Sequence, residues 1–374
     1  MRILYVRSGP YELDIQKYNC QEMGLAKAFC EAGYDVDIVL YSRHPRDLAF
    51  EHAGKQIRVL YKHGVRVLRS GIYPSVLKRA FLQQYEYVIT SEYSQIMSVL
   101  TSKRCDKTYV YNGVYYNLFM LPFMEKIYDK LFKNVLNNNV NTIFCKTKES
   151  KQYLRQKGLE HTAVVGVGLD IDAFKRPAPI TSEVAELAEI MKAHPTMLSV
   201  GAISPRKNTK LIVAIFNRLK QDKKYQDLRL VLVGKGDARY TQACLNECYP
   251  AYRDDLIHIP SIDNAQLRYV YPNANVYISA ATQEIFGMVL AESMYFGDPM
   301  VASNTAGART LVVEDETGYI VDSDDLDEWA YNVSRILDDK DLQRSMSRQA
   351  HQRIIDNFMW SNVADRMLTH MEAK

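Results

Sequence analysis

The strongest constraint on the fold is an alternation of short apolar runs with helical patterns that begins twice along the chain. The first series opens at Ile3–Val6 and continues at Val36–Tyr41, and the second opens at Met197–Val200 and continues at Leu228–Val233. Such alternation indicates parallel sheets with helices on both faces. Because the pattern restarts, the 374 residues predict an α/β protein with two Rossmann-like, doubly wound domains.

The individual elements follow from the same pattern. Further strands are predicted at Tyr87–Ser91, Thr108–Tyr111, Asn141–Cys145, Ile257–Ile259, Val276–Ser279 and Met300–Ala302. Further helices are predicted before Gly33 and at Glu183–Ala193, Lys207–Gln221, Asp237–Cys248, Asn264–Tyr271, Met288–Phe296, Asp324–Leu337, Asp341–Asp356 and Phe358–Met371. The Pro-bearing stretch Phe174–Ile180 separates the two series. We therefore expect an N-terminal domain over residues 1–176 and a second domain over residues 177–357.

Charge is distributed unevenly between these two parts. Residues 1–176 hold 26 Lys and Arg against 17 Asp and Glu, and the remainder holds 21 against 27. Residues 52–85 contain seven basic side chains and no acid. Within them, Pro74–Tyr85 is interpreted as a basic amphipathic helix that lies on an anionic membrane surface. A pair of strands with a solvated outer face remains an equal alternative, and no nucleic-acid-binding motif is present.

Other features exclude several classes of protein. No apolar run reaches the ~18 residues of a membrane span, and the first residues are too quickly polar for a signal peptide. Cys244 and Cys248 lack the second pair that would complete a zinc site. We expect a cytoplasmic protein, peripheral at most on the inner face of the membrane, without a metal or a cofactor.

The most informative segment is Ser279–Gly297, in which a strand, a polar loop and a helix follow one another. The helix is expected to begin at about Phe286-Gly287-Met288, where its free N–H groups and positive dipole suit a phosphate. One acid lies on each side of this helix start. Glu284 precedes the helix and Glu292 lies in its second turn, both within reach of sugar hydroxyls near such a phosphate.

The seven residues between these acids, with Phe-Gly among them, resemble the E-x7-E signature of retaining family 4 glycosyltransferases of the GT-B fold. Val200–Asn208 resembles the family loop in which a lysine, here Lys207 with Arg206 beside it, contacts the donor diphosphate. Phe358-Met-Trp360 resembles the point where the last helix, residues 358–374, crosses back to the first domain. The resemblance implies a deep cleft between the domains, with the acceptor bound by the first and the nucleotide-sugar by the second.

The same comparison identifies departures from the family pattern. Of the paired glycines that approach the donor phosphate in the first domain, Gly9 remains. Ala202 stands where the family often has an arginine, and Asn112 stands where a histidine commonly faces the reacting sugar. Asn112 is equally well interpreted as a ligand of the sugar or as a residue that caps the loop beside Gly113.

The activity implied by the resemblance is retaining, metal-independent transfer of a sugar from a UDP- or GDP-type donor to a hydroxyl of a glycan or lipid-linked acceptor. It would belong to cell-envelope polysaccharide or glycolipid synthesis. Glu284, Lys207, Arg206 and Asn112 are the expected catalytic residues. Gly9, Phe286, Gly287, Met288 and Glu292 are the expected donor-binding residues. The alternative is a non-catalytic glycosyltransferase-like subunit that binds nucleotide or glycan and supports a partner enzyme.

Overall fold

The structure, a computed structural model, describes every residue except 17, 19, 68, 120 and 374, and describes Ala173 by its backbone alone. The chain forms two compact units. The first comprises Met1–Asp170 and Phe358–Lys374, and the second comprises Ile171–Asn357. Each unit has its own parallel sheet covered by helices, which confirms the predicted α/β class with two Rossmann-like units.

The elements of the first unit alternate as the sequence pattern indicates. In chain order they are β1 (Arg2–Val6), α1 (Gln21–Glu31), β2 (Asp35–Tyr41), β3 (Arg46–His52), β4 (Lys55–Lys62), β5 (Val65–Val67), β6 (Ser70–Ile72), α2 (Arg79–Leu82), β7 (Tyr87–Ser91), α3 (Ile96–Ser102), β8 (Thr108–Asn112), α4 (Pro122–Asn139), β9 (Thr142–Cys145), α5 (Lys148–Gln156) and β10 (Thr162–Val164).

The main sheet of this unit has the order β10-β9-β8-β7-β1-β2-β4-β3 among the described residues, and every pairing is parallel except β3 with β4. Its central strands are buried on both faces, so they form continuous apolar runs such as Ile3–Val6. Strand β1 lies between β2 and β7. The order of the strands therefore reverses beside β1, and loops that follow β1 and β7 meet at one edge of the sheet.

The basic stretch of residues 52–85 does not form the helix expected at Pro74–Tyr85. Its first part is the turn and second strand of an antiparallel hairpin. Ala53 and Gly54, both with positive φ, form the turn that connects β3 to β4. Only Arg79–Leu82 is helical within the expected segment. The predicted helix was wrong because Val76, Leu82 and Tyr85 are buried in the unit's own core. The paired strands β4, β5 and β6 within residues 52–85 favour the alternative of strands.

The second unit follows the same scheme. Its elements are α6 (Asp172–Lys175), α7 (Ser182–Ala193), β11 (Thr196–Val200), α8 (Thr209–Lys220), β12 (Arg229–Val233), α9 (Ala238–Asn246), β13 (Leu256–Ile259), β14 (Val276–Ser279), α10 (Met288–Tyr295), β15 (Met300–Ser303), α11 (Ala306–Leu311), β16 (Gly318–Val321), α12 (Leu326–Asp338) and α13 (Lys340–Asn357). Its described strands form one parallel sheet in the order β13-β12-β11-β14-β15-β16.

One predicted helix of this unit, Asn264–Tyr271, was wrong. The segment contains a short 3-10 turn at Leu267–Tyr269, and a second turn follows at Tyr271–Asn273. Pro272 stands directly after the segment, so an α-helix would have to end there, since proline cannot donate the next helical hydrogen bond.

The last helix, α14 (Trp360–Glu372), packs in the first unit against α1. A Cβ on Gly24 would lie 2.1 Å from the indole nitrogen of Trp360, and a Cβ on Gly168 would lie 2.3 Å from the same ring. The two glycines therefore provide the space that the indole occupies. None of the helices formed by the described residues has an apolar stretch that would cross a membrane.

Candidate functional site

Two loops at the carboxyl ends of β11 and β12 in the second unit lie directly against each other. A Cβ on Gly234 would be 1.8 Å from the carbonyl oxygen of Gly201, and a Cβ on Gly236 would be 1.9 Å from that of Ile203. Only glycine allows two backbones to approach this closely. The contact fixes the loop that carries Arg206 and Lys207.

This loop is also held from within and from the neighbouring strand end. The Ser204 hydroxyl accepts a hydrogen bond from the backbone N–H of Lys207, at 3.3 Å. Asn208 adopts a left-handed conformation, with φ of 49°, before α8 begins. The backbone N–H of Thr282, which follows β14, donates to the carbonyl oxygen of Arg206 at 2.9 Å. The cationic loop and the loop that carries Glu284 are thus joined through backbone groups.

Three of the predicted site residues come together here. The Nζ of Lys207 lies 2.6 Å from Oε2 of Glu284, and the guanidinium of Arg206 lies 3.1 Å from the same oxygen. The side chains of Lys207 and Glu284 are 16% and 17% exposed, whereas that of Arg206 is 49% exposed. Two cations on one carboxylate oxygen retain most of their hydrogen-bonding capacity for an anion. The cluster can therefore exchange the carboxylate for a phosphate.

Helix α10 begins next to this cluster. Gly287 has a φ of 83° and is the residue at which the loop turns into the helix. Its backbone and that of the buried Phe286 pack on Gly307, whose Cβ, if present, would lie 2.4 Å from the Phe286 carbonyl oxygen. Gly307 also donates its N–H to the carbonyl oxygen of Glu284 at 3.1 Å. Helix α11 thereby positions both Glu284 and the first turn of α10, which starts at the half-buried Met288.

Glu292 lies on the buried side of α10. It is 3% exposed, and the hydroxyl of the buried Tyr271 donates to its Oε2 at 3.0 Å. A second buried tyrosine, Tyr277, donates to the carbonyl oxygen of Val200 at 2.9 Å. Burial, with the Glu292 carboxylate as a smaller contribution, raises the pKa of Tyr277 above its ordinary value. The carboxylate of Glu292 is therefore held in a fixed position by a side chain from outside α10.

The first unit contains a separate cavity of about 740 Å³ at the carboxyl ends of its central strands. Gly9, which follows β1, is one of its lining residues. Arg7, Arg69 and Lys146 line it with cationic groups, and Asp14, Glu22 and Glu92 line it with carboxyl groups. A polar cavity of this size, lined by as many cations as acids, fits a ligand that carries several hydroxyl groups.

Glu92 lies in this cavity in a left-handed conformation, with φ of 59°. Its carboxylate accepts the backbone N–H of Gly113, at 3.3 Å to the nearer oxygen. Desolvation raises the pKa of Glu92, and the opposing contributions of Lys146 and the Gly113 amide are smaller. A strained backbone and a carboxyl group with a raised pKa, both in one cavity, are typical of functional sites.

Asn112 is placed differently from the other predicted site residues. It is fully buried, and its side-chain amide donates to the Val114 carbonyl oxygen at 3.0 Å and to the Ser150 hydroxyl at 2.9 Å. Its side-chain oxygen accepts the N–H of Tyr93 at 3.2 Å. These bonds favour the loop-capping interpretation over direct contact with a sugar.

Sequence reasoning missed Glu92, Arg69 and Lys146. Glu92 and Lys146 follow the strands β7 and β9 directly, so position at a strand end was the available signal, but no motif distinguished them. Within the described part of the chain, no three His, Cys, Asp or Glu side chains are grouped as a metal-binding set.

The sequence was compared with protein families and with curated proteins. Residues 186–353 match the model of the family "Glycosyl transferases group 1". A D-inositol 3-phosphate glycosyltransferase of Xylanimonas cellulosilytica is 28% identical over 59% of this chain and 54% of its own length. The alpha-1,3/1,6-mannosyltransferase ALG2 of Rhizomucor pusillus is 24% identical over 53% of this chain and 50% of its own length. The chain thus spans about half the length of these curated relatives.

Solved structures show the fold over the whole chain. A sucrose-phosphate synthase from Thermosynechococcus elongatus superposes with a TM-score of 0.70 at 20% identity, covering 100% of this chain and 99% of that one. Anabaena Alr3699/HepE, solved in complex with UDP, superposes with a TM-score of 0.74 at 14% identity, covering 100% of both chains. These similarities confirm the GT-B fold class.

Proposed function

We propose that this chain, whose second unit matches the group 1 glycosyl transferases, is a retaining and metal-independent glycosyltransferase. It transfers a sugar from a nucleoside-diphosphate donor to a hydroxyl of a glycan or lipid-linked acceptor in the cytoplasm, in polysaccharide or glycolipid synthesis. The observation that carries the proposal is the contact of Lys207 and Arg206 with Glu284, in the loop immediately before α10. The complex of Alr3699/HepE with UDP supports UDP as the first donor base to test.

The chemistry required of the chain is electrostatic. The bond between the anomeric carbon and the diphosphate breaks, the acceptor oxygen bonds to the same face of that carbon, and the departing phosphate oxygen takes the acceptor proton. Negative charge therefore develops on the diphosphate in the transition state. Lys207, Arg206 and the first N–H groups of α10 stabilise that charge, and no nucleophile from the chain is needed.

The remaining site residues have supporting roles in the proposal. When the diphosphate binds, Lys207 and Arg206 leave the carboxylate of Glu284 and contact the diphosphate. The carboxylate of Glu284 then accepts hydrogen bonds from the donor sugar. Glu292, held by Tyr271, accepts hydrogen bonds from the ribose. The cavity of the first unit, with Gly9, Glu92 and Lys146 on its wall, binds the acceptor. The D-inositol 3-phosphate glycosyltransferases among the relatives support an acceptor that carries an anionic group.

Thermal unfolding with UDP, GDP, ADP, CDP and TDP tests this proposal. A nucleotide at ~100 times its dissociation constant stabilises the folded state by about 2.7 kcal/mol. We expect one base to raise the melting temperature of the wild type, and Glu292→Gln, which keeps a partner for Tyr271, to reduce that shift. Glu316→Gln, an exposed acid of the same unit, is the control and should respond as the wild type does.

The same panel distinguishes the alternative of a non-catalytic subunit, which the internally bonded Asn112 favours. Nucleotide binding without transfer to any acceptor would support that alternative. Absence of a shift with every nucleotide would contradict the catalytic assignment and would favour a non-catalytic subunit that binds glycan.

A further inference from the structure

Helix α4 of the first unit carries an exposed apolar stripe. Phe123, Ile127 and Leu131 follow one another at intervals of four residues, which places them on one face of the helix. They are 57%, 51% and 61% exposed. Leu121, immediately before the helix, is also half exposed. Contiguous exposed apolar groups of this kind mark a surface that binds something apolar.

Positive charge flanks this stripe. Lys126 and Lys130 are exposed on the side of the helix next to Phe123, and the partly exposed Lys133 extends towards Gly158. None of these three lysines takes part in an ion pair among the described residues. The two acids of the helix face the opposite way. Glu125 and Asp129 lie 3.1 and 2.7 Å from the Nζ of Lys157, which packs beneath the helix.

We propose that this face of α4 lies on an anionic lipid surface and holds the first unit against the membrane. A bilayer interface accommodates both kinds of group at once, because the apolar side chains enter the acyl boundary while the ammonium groups stay among the phosphates. The charge complementarity identifies the lipid as anionic. Docking of α4 is independent of the transfer reaction, so its test does not depend on the proposed function.

The structure favours α4 over the basic residues 52–85 as the docking surface. In that stretch Val59, Tyr61 and Tyr73 are buried, so the basic side chains are not accompanied by an apolar face. Among the described residues of that stretch, Val65 is the one large apolar side chain that is exposed. Basic residues without an inserted apolar face give only salt-sensitive surface attraction.

Sedimentation of the full chain with vesicles tests the proposal. We expect binding to phosphatidylcholine vesicles that contain phosphatidylglycerol, and little binding to pure phosphatidylcholine. The triple variants Phe123→Gln/Ile127→Gln/Leu131→Gln and Lys126→Gln/Lys130→Gln/Lys133→Gln should each lower the partition coefficient about tenfold or more. Glutamine suits a helix, so both variants should keep the wild-type melting temperature.

The matched control is Arg66→Gln/Lys78→Gln/Arg79→Gln, which removes the same charge from exposed positions in residues 52–85. It should bind as the wild type does. Equal binding to neutral and anionic vesicles, wild-type binding by the α4 variants, or an equal loss in the control would each overturn the proposal.

A second variant gives a readout that does not depend on loss of binding. Phe123→Trp places an indole on the stripe, while the two native tryptophans, Trp329 and Trp360, are buried. We expect its emission to shift to the blue when anionic vesicles are added. An unchanged emission spectrum would show that the stripe does not enter the lipid and would contradict the proposal.

Discussion

At the scale of single residues, the candidate site is built on one carboxylate that contacts two cations. Oε2 of Glu284 contacts both Lys207 and Arg206. A nucleoside diphosphate that binds these cations must displace it. Under the proposed function, Glu284 would therefore oppose binding of the diphosphate product while it positions the lysine, which would favour release of the diphosphate after transfer.

The substitution Glu284→Gln separates these two effects. Loss of the competing negative charge should tighten the binding of the matching nucleoside diphosphate by about fivefold, the equivalent of about 1 kcal/mol for a partly exposed ion pair. Sugar transfer should fall, because an amide positions the lysine less strongly and binds the donor sugar differently. Calorimetric titration gives the affinity and a product assay gives the rate. Weaker binding of the diphosphate would contradict the competition, and Glu316→Gln controls for the change in net charge.

The residues of the second-unit site were predictable because they belong to an ordered motif in a strand-loop-helix context. Their mutual ion pairs were not predictable, because sequence spacing does not determine which strand ends meet. Glu92 and Lys146 escaped prediction for a related reason, since each stands alone after its strand. Asn112 was identified, but only its surroundings revealed that its amide is bonded within the unit.

At the scale of elements, glycine determines how closely loops and helices approach around the proposed donor site. Gly307 allows α11 to pack on the backbone of Phe286 and Gly287. The substitution Gly307→Ala should move α11 away from that backbone and cost about 1–3 kcal/mol of stability. It should also weaken nucleotide binding, because Glu284 and the start of α10 shift with it. Denaturant unfolding and calorimetric titration measure the two effects.

A control of equal steric severity lies in the other unit. Gly24→Ala would bring a Cβ against the indole of Trp360 and should also lower stability, but it should leave nucleotide affinity unchanged. If both variants weakened nucleotide binding to the same degree, the effect of Gly307→Ala would be general destabilisation and not positioning of the site.

Whether an element could be predicted from the sequence depended on whether its apolar residues are buried or exposed. Strand β14 was predicted with its observed bounds, Val276–Ser279, because all four residues are buried. Helix α4 was not predicted. It exposes Phe123, Ile127 and Leu131, so apolar residues occur on its outer as well as its inner face and the usual amphipathic pattern is absent. The exposed apolar side chains that made α4 hard to predict are also the basis for its proposed role at a lipid surface.

At the scale of the whole molecule, the chain returns to its first unit after completing the second. Trp360, at the start of α14, is 5% exposed and lies against Gly24 and Gly168. The substitution Trp360→Ala should leave a cavity there and lower the free energy of unfolding by roughly 3–5 kcal/mol. Phe123→Ala, which removes an exposed aromatic ring, should change it by no more than about 0.5 kcal/mol.

Denaturant unfolding with separate probes for the two units shows where this cost falls. The transition of the first unit should move to lower denaturant, and nucleotide should still protect the second. A Trp360→Ala variant as stable as the wild type would show that α14 contributes little to the first unit.

The most direct test of the proposed activity is the rate and stereochemistry of sugar transfer in the wild type, Lys207→Ala and Lys210→Ala. Lys210 is exposed in the first turn of α8, outside the cluster, so its removal controls for charge. Proton NMR of the product should show the anomeric configuration of the donor. Lys207→Ala should lower turnover on the order of 10²–10³-fold, because a preorganised cation is lost from the leaving diphosphate, while Lys210→Ala keeps the wild-type rate. An unchanged rate in Lys207→Ala, or an inverted product, would contradict the proposed mechanism.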